Sequence, residues 1–151
     1  MATQISDMVG MKFDPKGVQN FMGQHGHGKL IGLTYHDSGD NWIELGLPYN
    51  EKLIGDPSTG ILASGAIITL MDNATSMSVW IKRGEFQPQA TMDLRVDYLR
   101  PATPHKTVYG RGECYRITSS IAFVRGYAYE DDPDDPIAHV AGTFIKTNPF
   151  K

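Results

Sequence analysis

The sequence predicts an α+β chain in which one long helix lies against an antiparallel sheet. Three observations carry this. The stretch 60–81, GILASGAIITLMDNATSMSVWI, is small or apolar almost throughout, as in a helix buried on most of its faces. Further on the period changes: Met92, Leu94, Val96 and Tyr98 alternate with Asp93, Arg95, Asp97 and Leu99. That two-residue repeat is a strand with one buried face. The later segments are joined by short turns, which suit antiparallel neighbours.

Taken in order, residues 1–30 form an N-terminal extension to a core of about 31–147, all in one domain. Pro15–Met22 starts a short helix with Asp14 as its cap. GQHGHGKL (23–30), with three glycines, reads as loop. Residues 30–36 and 41–47 read as strands around a turn at His36–Asp40, and Tyr49–Thr59 as loop. The long helix runs from Ser64 to Lys82, with Lys82 and Arg83 suiting its negative end and Gly84 its stop. Pro101 and Pro104 end the strand that follows. Thr107–Thr118, Ile121–Tyr129 and Ile137–Thr147 are three further strands, turning at Ser119–Ser120 and Asp131–Pro136. The helix is apolar on more faces than one flat sheet covers. Either the sheet wraps it or a second copy helps.

Composition narrows the class. A chain of 151 residues can bury a full core without metal or disulfide help. A net charge of -3 makes no case for nucleic acid as a main partner. The single cysteine, Cys114, permits no intramolecular disulfide and fits a reducing compartment. In its strand it reads as a buried, inert thiol. The first residues lack a basic segment followed by an apolar run, and the polar residues of 60–81 make that stretch a poor membrane span. A cytoplasmic protein without membrane association is expected. His25 and His27, two apart with no Cys or Glu beside them, read as loop residues rather than metal ligands. EDDPDD (130–135) reads as a solvated turn, so no metal is expected.

One residue breaks the helix pattern. Asp72 is a carboxylate among apolar neighbours. Burying one is costly unless it is paired, hydrogen-bonded or protonated. Such a residue has a structural partner or a chemical use.

Three segments, GILASGAIITLMD (60–72), ATMDLRVDYLRPA (90–102) and HVAGTFIKT (139–147), together resemble the hotdog-fold thioesterases of the PaaI-like group. That family has Gly-x-x-His-Gly-Gly and then an Asp nine residues after the His, the spacing of Asp72 from Ala63. It continues with Ser/Thr-x-Asp-Leu and Tyr-Leu-Arg-Pro-Ala. The resemblance spans roughly 42–147. It implies a curved antiparallel sheet around the helix, a homodimer or dimer of dimers, and interface sites that hydrolyse acyl-CoA. By the same resemblance, Asp72 is base or nucleophile, and the Ser64 and Gly65 amides form the oxyanion hole. Thr91 assists from the neighbouring subunit. No separate cofactor is implied, because coenzyme A is part of the substrate. Ala63 departs from the family by standing where it has His, and Ser64 by replacing the first Gly.

Arg100, Arg116 and Arg125 are candidate cations for the phosphates of coenzyme A, with Ser119 and Ser120 in the nearby turn. The chemistry suits these residues, since free amides at a helix N-terminus are suitable donors to a thioester oxyanion. A non-catalytic acyl-CoA-binding protein is the alternative, on account of Ala63. A dehydratase would want a histidine beside the carboxylate, and neither the helix nor the strand at 91–100 carries one.

Overall fold

A computed structural model describes residues 5–148. Its elements are α1 (Pro15–Met22), α2 (Gly26–Ile31), β1 (Thr34–Ser38), β2 (Trp42–Leu47), β3 (Ile54–Asp56), β4 (Ile61–Leu62), α3 (Ser64–Arg83), β5 (Gln89–Tyr98), β6 (Val108–Ile117), β7 (Ile121–Tyr129) and β8 (Ala138–Lys146). Six strands form one antiparallel sheet in the order β1-β2-β6-β7-β8-β5, and β3 pairs with β4 in a small hairpin ahead of α3. β5 is therefore an edge strand. This is the hotdog arrangement that the sequence implies, with α3 laid across the sheet.

The alternation of small and branched residues on the sheet's inner face lets the helix come close. α3 packs chiefly on β6 and β2, less on β7 and less again on β5. Its buried side chains, among them Ala66, Ile67, Leu70, Met71, Ala74 and Met77, meet Ile43, Leu45, Leu47 and Val108 from the sheet in one core. Gly112 marks the closest approach. A Cβ there would lie 2.5 Å from the backbone at Ala74 and Thr75. Polar residues inside this helix are satisfied by its own backbone: Thr75 donates to the Met71 carbonyl at 2.7 Å and Ser78 to that of Thr75 at 2.6 Å.

The C-terminal end of α3 is closed as the sequence predicts, one residue later than expected. Gly84 takes φ 77, and its N–H donates to the Trp80 and Ile81 carbonyls. The N-terminal segment is stitched to this end. Phe13 donates through its N–H to the Gly84 carbonyl, and Phe13, Trp80 and Phe86 form an aromatic cluster.

Several boundaries differ from expectation, each for a local reason. The expected loop 23–30 holds α2, because the His25 ring stacks on Phe21 and its Nδ1 lies 2.8 Å from the Phe21 carbonyl. The first strand starts at Thr34 rather than residue 30, since Leu30 and Ile31 belong to that helix. It runs through to Ser38, so the turn that follows is shorter than expected. β3 and β4 fall in or just after the expected loop at 49–59 and are too short to show a period. β5 begins at Gln89 because β8 pairs with it as far as Lys146. Asp14 stands at the N-cap of α1 but makes no side-chain cap bond.

Candidate functional site

Residues four apart share a helix face, and on α3 the series Ser64, Ile68, Asp72, Ser76 is the face the sheet leaves uncovered. None of the four is buried. β5 runs alongside and bonds to it at three points. The Tyr98 hydroxyl donates to the Ser64 carbonyl at 2.9 Å. The Thr91 hydroxyl donates to the Asp72 carboxylate at 2.9 Å. The Gln89 amide donates to the Ser76 carbonyl at 2.8 Å and approaches its hydroxyl at 2.9 Å.

A break in register places Thr91. Strict alternation would set Thr91 and Leu94 on opposite faces of β5. The ladder with β8 slips between Thr91 and Asp93. This bulge inserts one residue and resets the phase, so Thr91 turns toward the helix.

Two expectations change here. Asp72 is half-buried rather than buried, and Thr91 is the one side chain bonded to its carboxylate among the described residues. Thr91 reaches Asp72 from the same chain, not from a neighbouring subunit. Family likeness carries residue types across, but not which copy supplies each. Asn73 donates to the Thr69 carbonyl of its own helix at 2.8 Å.

The other half of the expected site is the start of α3. Ala63 is the N-cap residue and no side chain caps the helix. Ser64 is thus the first helical residue rather than a cap. The opening amides of a helix have no acceptor within it, and here Ser64 and Gly65 are both exposed. Gly65 is not required by packing within the chain, since a Cβ there would meet nothing within 4 Å. Glycine inside a helix costs about 0.5–1 kcal/mol relative to alanine. Its presence suits a close approach from outside the protomer.

These two halves are far apart within one chain. Asp72 lies seven and eight positions beyond Gly65 and Ser64. At about 1.5 Å of rise per residue they are separated by roughly 10–12 Å along the axis. No single small group can touch both within one protomer.

The arginines part company. Arg100 is an internal clamp: its guanidinium lies 3.1 Å from Glu130 and 3.3 Å from Asp135. Glu130 is buried and also takes bonds from the backbone N–H and hydroxyl of Thr103. Arg100 is therefore committed to holding the segment after β5 rather than free to hold a phosphate. Arg125 pairs with Glu113 at 3.1 Å, and that pairing lowers the Glu113 pKa and raises that of Arg125. Arg116, Ser119 and Ser120 are exposed at the β6–β7 turn. Register runs from Thr91 through Phe144 to Ala122, so this turn shares the Thr91 end of the sheet.

An open hollow of about 380 Å³ lies beside the start of α3, lined by Ile61, Leu62, Ser64, Ile67, Tyr98 and Leu99 among others. A second, of about 280 Å³, lies by Phe13, Val18 and Phe86 in the N-terminal segment, at the closed end of α3. The first is the one adjacent to the free amides. Tyr98 and Gln89 escaped the reading of the sequence. The signal for Tyr98 was its phase: it falls two residues past Val96 and four past Leu94, the half-buried positions of β5, so its ring is directed toward α3.

Comparison with known proteins identifies the family and the fold. Residues 59–137, just over half of the chain, match the thioesterase superfamily. A crystal structure of a Pseudomonas aeruginosa protein is 41% identical over 89% of this chain and 100% of its own, with a TM-score of 0.79. A thioesterase from Haemophilus influenzae shares the fold at 16% identity, covering 95% of this chain and 97% of its own, with a TM-score of 0.79. So does a mutant of the phenylacetic acid degradation protein PaaI from Thermus thermophilus, at 19% identity, 79% and 96% coverage and a TM-score of 0.68. A Halobacterium salinarum protein with a provisional esterase name is 34% identical over 88 residues. That match spans 56% of this chain and 58% of the relative's length. No helix among the described residues is long and apolar enough to cross a membrane.

Proposed function

The chain belongs to the thioesterase superfamily, and from that premise we propose that it hydrolyses acyl-CoA thioesters at sites shared between two copies. The observation that carries this is the Asp72–Thr91 pair two turns along from an uncapped, glycine-bearing helix start. Asp72 of one copy acts as general base. Thr91 occupies one carboxylate oxygen, and the other takes a proton from water. The water oxygen bonds to the thioester carbon, and the Ser64 and Gly65 amides of the second copy hold the resulting oxyanion. Collapse breaks the carbon–sulfur bond, and the departing thiolate takes up the proton.

The second copy is supported by the uncovered face itself. In an antiparallel pair of α3 helices, position 65 of one meets 72 of the other when the axis passes between residues 68 and 69. Ile68 stands there, 40% exposed. The unpaired edge of β5 runs beside it, carrying Met92 at 55% exposure together with the charged Asp93, Arg95 and Asp97, and Leu99 follows just past its end at 57%; an unpaired edge offers its backbone groups to a partner strand. The apolar hollow beside Ser64 suits the acyl group. Arg116, with Ser119 and Ser120, suits the phosphates of coenzyme A.

A second reading, acyl-CoA binding without turnover, is favoured by Ala63 alone. One experiment separates the two: thiol release from short, medium, long and aryl acyl-CoAs, with Asp72→Asn in parallel. Hydrolysis predicts turnover on at least one substrate and a loss of about 10²–10⁴-fold in the variant. Binding of acyl-CoA without thiol release would establish the second reading instead.

A further inference from the structure

We infer that Tyr98 is a positioning residue for the oxyanion hole, acting on the peptide unit that carries the Gly65 amide. The inference rests on the hydrolytic reading above. Its structural part stands on one bond, from the Tyr98 hydroxyl to the Ser64 carbonyl at 2.9 Å. A peptide unit is planar, so the Ser64 carbonyl and the Gly65 N–H are opposite ends of one rigid plate. Gripping the carbonyl from behind fixes the direction in which the N–H points.

The grip is also electronic. A donor on the carbonyl draws charge toward oxygen and strengthens the amide as a donor, as in any chain of hydrogen bonds. The next peptide is treated alike: the Thr69 hydroxyl donates to the Gly65 carbonyl at 2.9 Å. Both opening carbonyls of α3 thus carry a side-chain donor on the side away from the free amides. Tyr98 is placed to serve the site and not only the core. The residue is 43% exposed and lines the hollow beside Ser64. Partial burial raises its pKa, so it stays a donor at neutral pH.

The test is Tyr98→Phe, which keeps the ring and removes the hydroxyl. Removing an oxyanion donor outright costs about 10²–10³ in kcat; loosening one is a smaller effect, of about tenfold. The expected result is that fall in kcat, with KM within about twofold and the melting temperature unchanged. The Gly65 amide proton should also move upfield in NMR spectra of the variant, which reads the hydrogen-bond chain without any turnover. An unchanged kcat would overturn the inference. So would a parallel loss of kcat, KM and melting temperature, which marks a packing role. If the unmutated protein releases no thiol, the hydrolytic reading fails first. The Gly65 resonance then decides the structural part alone, and an unmoved signal would sink it.

Discussion

The two ends of α3 are built in opposite ways. At the C-terminus the left-handed Gly84 returns its N–H to the last turn, Trp80 donates through its indole to the Gln87 carbonyl at 2.7 Å, and Phe13 and Phe86 cover the ring. Lys82 and Arg83 meet the negative end of the dipole. At the N-terminus no side chain caps the helix, two exposed residues present their amides, and a glycine stands where packing within the chain asks for none. A closed end holds the fold together. An open end leaves donors for something that arrives from outside, and the helix is less stable there than it need be.

Changes on each side of that contrast should separate stability from catalysis. The largest effect is expected at Arg100→Ala, behind the open end. It leaves Glu130 buried with only Thr103 for company, and should cost about 3 kcal/mol in chemical unfolding. A raised KM with intact stability would restore Arg100 as a phosphate ligand. Gly112→Ala comes next, since its methyl must displace the backbone of α3. Overpacking of this kind costs about 1–3 kcal/mol, to be read as a lower melting temperature.

Thr91→Val tests the pairing with Asp72. It keeps the shape and a good strand former, so the melting temperature should hold while kcat falls about tenfold, close to 1.4 kcal/mol of barrier. An unaltered rate would reduce the bond to Asp72 to a structural tie. The smallest and most pointed comparison is between two glycines of the same helix. Gly84→Ala forces a left-handed residue and should destabilise by about 1 kcal/mol without touching kcat. Gly65→Ala should do the reverse, lowering kcat/KM with no loss of melting temperature. If both behave alike, the contrast between the ends is wrong.

What could be read in advance follows from where the causes lie. The long helix, its glycine stop and the odd carboxylate Asp72 were legible because periodicity and local chemistry decide them. So was the order of strands after it. The helix α2 was not, because three glycines argue against it and the contact that favours it is a ring stacked one turn back. Nor was the fate of Arg100, whose partner Glu130 is thirty positions away. The bulge that turns Thr91 toward Asp72 leaves no mark in composition, and only the coordinates reveal that the two share a chain.

The proposal that two copies share one site is tested most directly by mixing two inactive variants. Asp72→Asn and Gly65→Val would be unfolded and refolded separately, then together, and assayed for thiol release. A two-fold pair assembled at random contains one intact site in each mixed dimer, so activity should return to about a quarter of the unmutated level. Continued inactivity of the mixture, with mixed dimers present, would place both halves of the site in a single chain and contradict the arrangement.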